Sequence, residues 1–347
     1  MLKMFKKNGF SSTVICIAIL FMLVSSSVFA AEQIILKMGH EQNQLGGTQI
    51  VAETLKELLE FKTNGELTIE IYPQGSLSSS PEELLEFLRN GIVDLSISSA
   101  GNISGFCNDL QFLDMPFMLK SHEHIQVFAQ STVIQEIFDI FEDQVGVKVV
   151  DIAETGNGNC ITSNKPIKSF KDMQGLKIRC MMNPTFIDIY KSFGAVPTPI
   201  DWGELFTALE LGTVDAQDNQ PYVNWVMGLM EVQNCTAWLR QYWSGGIFLI
   251  SNETLKKLTP EQQEILIESI HEACALERQW IHRKDLETLE LLKEKEGYTV
   301  TYPERAPFIE AAQVVHDKWF EEYPHWKNWF ERVQMLNPDT REPKAAQ

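Results

Sequence analysis

The sequence predicts an α/β protein whose two lobes face a shared cleft. Residues 36–99 and residues 175–221 each read as strand, helix, strand, helix and strand. In both segments the second helix stops at a glycine that precedes a Val-Asp pair, at 91–94 and at 212–215. A long helical stretch after residue 259 is the third observation. The repeated unit carries different residues at matching strand ends, which favours two facing lobes. Coincidence between two generic units is the alternative.

Local signals divide the first unit into its elements. Its expected strands cover residues 34–38, 67–72 and 92–98, and its first helix covers 49–61. Asn64-Gly65 ends that helix. Ser80 caps the second helix, which begins at Pro81 and stops at Gly91.

The second unit repeats these signals. Residues 176–178 match residues 36–38, and Gly212 stops its second helix. Asp201 is the expected cap of that helix, and Glu204 three residues later gives the form of a capping box. Strand–helix–strand units pair in parallel with right-handed crossovers, so both units are expected to build parallel sheets.

Parallel α/β sheets bind ligands beyond the carboxyl ends of their strands. In the first lobe this rule selects Gly39, His40, Ser98 and Ser99. In the second lobe it selects Arg179 and the run Gln217-Asp218-Asn219. Two such edges that face each other would form a hinged clamp.

The stretch that opens at Thr259-Pro260-Glu261 is expected to reach Glu296, where Gly297 ends it. A helix of that length extends about 55 Å, longer than one lobe, and no heptad repeat supports a coiled coil. We therefore expect a helix that crosses both lobes. The predicted division places 31–155 and 245–284 in lobe 1, and 156–244 and 285–347 in lobe 2.

The first 30 residues have the pattern of a secretory signal peptide, with cleavage after Ala30. Three lysines precede an apolar run over 14–24, which is too short to span a bilayer comfortably. A membrane anchor is the alternative. Removal of these residues takes the formal charge from −18 to −21. Such an acidic protein repels nucleic acid, so an anionic ligand requires a locally basic position.

Five cysteines remain after cleavage, widely spaced and without a C-x-x-C motif. Buried free thiols are the favoured interpretation, with a Cys160–Cys180 bridge as the alternative. The sequence contains no G-x-S-x-G, H-E-x-x-H or P-loop motif, and we expect no cofactor or metal. His122 and His124 are expected at the surface.

Arg179 is the sharpest candidate for ligand binding. It follows an apolar strand, where an unpaired buried charge is costly. The guanidinium is suited to a ligand carboxylate held by two parallel hydrogen bonds. A salt bridge within the same lobe is the alternative.

Four further residues have a binding and a structural interpretation each. The amides of Asn219 and Gln217 suit ligand oxygens or an Asx turn before Pro221. Trp202 would form a wall of the cleft or pack as a buried staple. Asn159, in a Gly-rich loop, would contact ligand or serve a turn.

Several ordered motifs resemble the DctP-type substrate-binding subunits of TRAP (tripartite ATP-independent periplasmic) transporters. They are GLKIR at 175–179, GAVPTPIDWGELFTALELGTVDAQDN at 194–219, MEVQ at 230–233, NGIVDLSISSA at 91–101, MPF at 115–117 and SNKPIKSFKDMQ at 163–174. The resemblance covers nearly all of the chain after the signal peptide.

The resemblance implies a two-lobed periplasmic binding protein of the venus-flytrap type, without catalysis. Such proteins bind a small organic acid and deliver it to a membrane permease driven by an ion gradient. By the family pattern, Arg179 pairs with the ligand carboxylate and Asn219 helps to orient it. The bulky residue after the Pro-Thr-Pro motif falls at Trp202.

One departure from the family pattern concerns charge. Many acid-sugar binders carry a second arginine near the position that Asn159 occupies here, so a sialic-acid-like ligand is in doubt. A periplasmic sensor module is the alternative function. An enzyme on the same scaffold is less favoured, because only His40 and Cys160 offer reactive groups near the cleft.

Overall fold

The computed structural model describes residues 33–78, 80–153, 158–243 and 245–338. The predicted signal peptide and its cleavage point lie outside these residues. No helix in the described ranges is long and apolar enough to cross a membrane.

Eleven strands are found in the described residues. In chain order they are β1 (Ile34–His40), β2 (Leu67–Tyr72), β3 (Leu95–Ser99), β4 (Val147–Ala153), β5 (Cys160–Ser163), β6 (Lys177–Cys180), β7 (Val196–Pro199), β8 (Ala216–Asn219), β9 (Cys235–Ala237), β10 (Gly246–Ser251) and β11 (Thr299–Thr301).

The helices of the described residues occur between and after these strands. They are α1 (Gly47–Lys62), α2 (Pro81–Arg89), α3 (Ala100–Ile103), α4 (His122–Phe128), α5 (Thr132–Val145), α6 (Pro184–Ser192), α7 (Leu205–Glu210), α8 (Pro221–Val226), α9 (Asn252–Lys257), α10 (Pro260–Glu294), α11 (Ala306–Ala311), α12 (Gln313–Glu322) and α13 (Pro324–Leu336). Short 3-10 helices cover Ser104–Phe106, Asn108–Asp114, Phe170–Met173, Trp202–Glu204 and Leu229–Glu231.

Two sheets confirm the predicted two-lobed α/β architecture. The first has the order β2-β1-β3-β10-β4 and the second has the order β11-β9-β5-β8-β6-β7. In the first sheet β1 pairs in parallel with β2 and β3, and in the second β6 pairs in parallel with β7 and β8. Strands β10 and β5 each run antiparallel beside these parallel sets. Five strands of the two sheets therefore correspond, with β1 matching β6 and β3 matching β8, and β11 is an additional edge strand of the second sheet.

The repeated Val-Asp pair makes the same contacts in both units. The amide of Asp94 donates to the Lys37 carbonyl at 3.0 Å, and the Lys37 amide donates to the Asp94 carboxylate at 2.8 Å. Asp215 and Lys177 exchange the equivalent bonds at 2.8 and 3.3 Å. The sequence match therefore has a structural cause, since each aspartate ties the end of a helix–strand turn to the neighbouring parallel strand, β1 or β6.

In the described residues the chain passes between the sheets three times, and two of these crossings join neighbouring strands. Strand β4 belongs to the first sheet and is followed by β5 in the second. Strand β9 belongs to the second sheet and is followed by β10, which pairs with β3 and β4 of the first. The third crossing runs from β10 through α9 and α10 to β11 of the second sheet, so three connections join the lobes.

The long helix is confirmed as α10, with 35 residues. Thr259 and Gln262 form its capping box, with reciprocal bonds of 3.2 and 3.1 Å. On the first lobe, Arg278 pairs with Asp151 at 3.0 Å. On the second lobe, Asp285 accepts the Tyr222 amide at 3.0 Å. The helix is therefore attached to both lobes by buried polar contacts.

The C-terminal helices also contact both lobes. Helix α12 packs on α6, whereas α13 packs on α4 and α5. The rings of Trp326 and Trp329 lie 5.8 and 5.4 Å from the ring of Phe112. The main hydrophobic core is continuous through this region. How the chain divides into lobes at 155/156 and 284/285 stays a prediction.

Three local expectations are wrong. Strand β3 begins at Leu95 rather than at residue 92, because the chain from 91 to 94 forms the turn that Asp94 anchors. Asp201 makes no capping bond, since Trp202–Glu204 is a 3-10 turn. His124 is buried rather than at the surface, because α13 covers it and its Nε2 lies 2.7 Å from the Val333 carbonyl oxygen.

Candidate functional site

A cavity lies between the lobes at the carboxyl ends of the parallel strands. It encloses about 620 Å³, part of which is open to solvent. Its lining combines Glu41, Gln42, Thr48, Ile97, Ser99, Asn102, Gly245 and Gly246 with Arg179, Met181, Trp202, Asn219, Gln220 and Val223. Both lobes therefore supply polar groups, as the strand-end rule predicts.

Arg179 lies at the end of β6 with only 3% of its surface exposed. Its Nε donates to the Ile200 carbonyl at 2.8 Å, which fixes the plane of the guanidinium. In the described part of the chain no carboxylate forms an ion pair with it, so the alternative of a salt bridge within the lobe is not seen. Burial lowers the pKa of Arg179, and the Asp218 carboxylate opposes this shift. The group still carries its charge at neutral pH.

Asp218 lies behind Arg179 and is held by other groups. Its carboxylate accepts bonds from Asn159 and Gln241, each at 3.3 Å, and from the hydroxyl of Tyr242. Burial raises the pKa of Asp218, while hydrogen bonds from tyrosine hydroxyls and the charge of Arg179 oppose the shift. Asp218 therefore offsets the charge of Arg179 without occupying the guanidinium face that lines the cavity.

Asn159 belongs to this buried network and not to the cavity lining. It is 1% exposed, and its Nδ2 contacts Asp218 and the Tyr242 hydroxyl, the latter at 3.2 Å. Its side chain therefore does not line the cavity in which a ligand would bind. Its amide instead supports the carboxylate behind Arg179.

Asn219 and Gln217 lie two residues apart on β8, and their side chains are hydrogen-bonded to each other. Asn219 lines the cavity, and its Nδ2 donates to Gln217 Oε1 at 2.7 Å. Gln217 is fully buried and donates to Thr162 at 2.6 Å and to Asn224 at 2.8 Å. Gln217 therefore lies outside the cavity lining and fixes the amide plane of Asn219, which leaves the Asn219 oxygen available to the cavity.

Trp202 combines the two interpretations that the sequence left open. It lines the cavity and also packs against the small core that contains Leu205 and Leu209. Opposite it, Ser99 lines the cavity from the first lobe, with its hydroxyl 3.6 Å from the Met181 sulfur. These side chains give the cavity an apolar wall beside its polar groups.

His40 does not reach the cavity, and the next residue does. The Nε2 of His40 lies 2.9 Å from Gln49 Oε1, and the side chain is 1% exposed. Glu41 and Gln42 form a bend directly after β1, and both line the cavity. Burial lowers the pKa of His40, which disfavours its cationic form.

Glu41 is the most informative residue that the sequence analysis missed. Its Oε1 is enclosed and has no hydrogen-bond partner among the residues described. The amide of Asn102 approaches Oε2 at 3.5 Å. Burial, with the nearby Glu82 carboxylate, raises the pKa of Glu41 to about 7. Its position directly after a predicted strand end was the signal that could have identified it.

Met181 and Gln220, which directly follow β6 and β8, carried the same signal and were also missed. Asn102 and Val223 had no comparable signal, since they lie on helices that follow the strand ends. Their approach to the cavity depends on how the lobes pack, which a local pattern does not report.

The five cysteines among the described residues are free and buried, as favoured. Burial raises the pKa of Cys180 to about 12 and the pKa of Cys160 well above its usual value. Cys160 donates to the Asn219 carbonyl at 3.1 Å and is not part of the cavity lining. Neither thiol has the low pKa of a nucleophile.

Two α/β lobes joined by three chain crossings, with a charged cavity between them, define the class of two-lobed binding proteins. The family of bacterial extracellular solute-binding proteins, family 7 (DctP), matches residues 38–323. The chain belongs to this family.

Relatives agree with this assignment. The chain is 29% identical over 313 residues to the 2,3-diketo-L-gulonate-binding periplasmic protein YiaO of Escherichia coli K12, which covers 90% of this chain and 94% of that protein. A TRAP periplasmic solute-binding protein of Haemophilus influenzae, crystallised with L-gulonate, superposes with a TM-score of 0.82 at 24% identity, over 87% of this chain and 99% of that one. A third, from Pseudomonas putida F1 with bound D-glucuronate, gives 0.80 at 25% identity over 87% and 97%.

Proposed function

We propose that this protein captures a small organic acid in the cavity between its lobes and delivers it to an ion-gradient-driven TRAP permease. The observation that carries the proposal is Arg179. Its guanidinium is buried, lines the cavity, and is held by Ile200 through Nε alone. A ligand carboxylate is the natural partner for the two remaining nitrogens.

The energetics of the arginine favour binding by lobe closure. Hydrogen bonds to charged groups contribute about 1.5–3 kcal/mol each, and more when water is excluded. The carboxylate binds Arg179 on the second lobe while the rest of the ligand contacts the first. Such a ligand binds the closed state better than the open state, so it shifts the population toward closure.

One arginine in the cavity lining supports a ligand with a single carboxylate at that end. Where the family pattern allows a second arginine, Asn159 is instead occupied with Asp218 and Tyr242. The names of YiaO and of the glucuronate-bound relative point to sugar acids of six carbons. We therefore place this protein among binders of small hydroxylated or unsubstituted monocarboxylates.

The family and the sequence support the proposed location and the proposed delivery to a permease. The proposed location is the periplasm, which the protein would reach by means of a cleaved signal peptide. The proposed partners in delivery are two membrane subunits. The expected charge of −21 after cleavage agrees with a protein that does not bind nucleic acid.

Calorimetry with acids and their neutral counterparts tests the proposal. We expect the purified protein to bind D-glucuronate or L-gulonate with micromolar affinity or better, and to bind D-glucose and sorbitol at least 100-fold more weakly. Equal binding of an acid and its neutral counterpart would rule out recognition by Arg179. For delivery, vesicles that contain the two membrane subunits should accumulate labelled ligand only when this protein is added.

A further inference from the structure

We infer that Glu41 is a specificity-determining residue that accepts a hydrogen bond from a donor at the ligand end remote from the carboxylate, so that hydroxy acids bind and dicarboxylates do not. The inference rests on the proposed function. It extends that function by naming the chemistry required of the second ligand end.

The placement of Glu41 supports this role. Glu41 directly follows β1 on the first lobe, Arg179 lies near the end of β6 on the second, and both line one cavity. Their strands match in the two repeated units, so the two side chains enter the cavity from different lobes. A ligand that spans the cavity therefore has one end near each of them.

The contacts of Glu41 show an unmet requirement. Oε1 is shut off from solvent, and no group in the described ranges donates a hydrogen bond to it. At 3.5 Å, the contact between Asn102 Nδ2 and Oε2 is long for a hydrogen bond. Buried polar atoms in folded proteins are almost always paired, so an unpaired one at a cavity wall indicates a position for a ligand donor.

The surrounding charge decides which ligands fit. Glu82 lies at the first turn of α2 and lines the adjoining mouth of the cleft with Asp201 and Glu204. Arg179 lines the same cavity from the second lobe, and His40 is hydrogen-bonded to Gln49 and does not line it. A second ligand carboxylate at the Glu41 end would meet like charges, whereas a hydroxyl or an ammonium group would be accepted.

A matched six-carbon series tests the inference by calorimetry at pH 8, where Glu41 is mostly ionised. The probes are L-gulonate, hexanoate, adipate and 6-aminohexanoate. We expect the wild type to bind L-gulonate at least tenfold more tightly than hexanoate, and adipate most weakly. Tighter binding of 6-aminohexanoate than of L-gulonate would identify an ammonium group as the donor instead of a hydroxyl, and would still support the inference.

Variants separate Glu41 from the rest of the site. Glu41→Ala should remove the preference for L-gulonate over hexanoate while it leaves hexanoate binding within threefold of the wild type. Glu57→Gln, at an exposed acid of the same lobe, is the control and should behave as the wild type. Thermal melts establish that each variant is folded.

Two results would overturn the inference about Glu41 but leave the proposed function intact. They are a preference for L-gulonate that survives in Glu41→Ala, and adipate binding in the wild type as tight as that of L-gulonate. Failure of the wild type to bind any of the four acids would overturn the proposed function together with the inference. This result differs from the two above, so failure of the inference and failure of the proposed function can be distinguished.

Discussion

At the end of β1 the cavity receives the carboxyl group of Glu41, whereas at the end of the matching strand β6 it receives the guanidinium of Arg179. At the next matching pair, β3 ends in Ser99 and β8 ends in Asn219. The two units share their strand order, their parallel pairing and the contacts of Asp94 and Asp215. The two copies of one scaffold thus contribute side chains of opposite charge to the cleft, an acid from the first lobe and an arginine from the second.

The Arg179 side of this comparison should give the largest effect. Arg179→Ala removes two charged hydrogen bonds to the ligand, or about 3 kcal/mol, which corresponds to a loss of about 100-fold in affinity for a bound sugar acid. Arg179→Lys keeps the charge without the planar fork and should lose about tenfold. Calorimetry measures both. Arg283→Ala, at an exposed arginine of α10, is the control. An unchanged affinity in Arg179→Ala would remove the asymmetry that we describe.

The shared scaffold can be broken without change to the site. Asp94→Ala should lower the free energy of unfolding by about 2–3 kcal/mol, because it removes the acceptor for the Lys37 amide at 2.8 Å and for Thr254 at 2.5 Å. Asp215→Ala should cost about 1 kcal/mol, since its bond to Lys177 is 3.3 Å long. Urea unfolding checks the order of the two effects. Equal losses would mean that the two turns are equivalent despite their different contacts.

Asn219 offers a smaller effect on binding. Asn219→Ala should weaken the binding of a sugar acid by about tenfold, the value of one hydrogen bond. Asn164→Ala, at an exposed asparagine of the same lobe, is the control. If Asn219→Ala binds the sugar acid as tightly as the wild type, the ligand makes no hydrogen bond with the amide of Asn219 that Gln217 holds in place.

These residues also show how far sequence reasoning reached. Ser80, Thr259, Gly91 and Gly212 act through neighbours in the chain, so their roles as caps and stops were predictable. The antiparallel strands β5 and β10 pair with segments that are distant in the sequence. No local sequence pattern predicts such pairing.

The site divides in the same way. Arg179, Asn219, Ser99 and Trp202 were predicted and line the cavity. His40, Gln217 and Asn159 were also selected, but they lie behind the lining. The strand-end rule gives the edge of a sheet, whereas the face of each side chain depends on the twist and termination of the strand.

The smallest expected effect concerns the cost of Glu41 to the fold. Its pKa of about 7 lies above the usual value of 4.5, so ionisation destabilises the folded state as pH rises from about 4.5 to 7. Glu41→Gln removes that cost. The melting temperature should therefore rise by about 2 °C or more at pH 8 and stay unchanged at pH 4, as measured by thermal melts. An equal shift at both pH values would show that the carboxylate charge is not responsible.

The exchange of strands between the sheets has a consequence for synthesis. The first sheet lacks its link between β3 and β4 until β10, which ends at Ser251, has left the ribosome. The second is complete only with β11, which ends at Thr301. Neither lobe can therefore close early on a nascent chain.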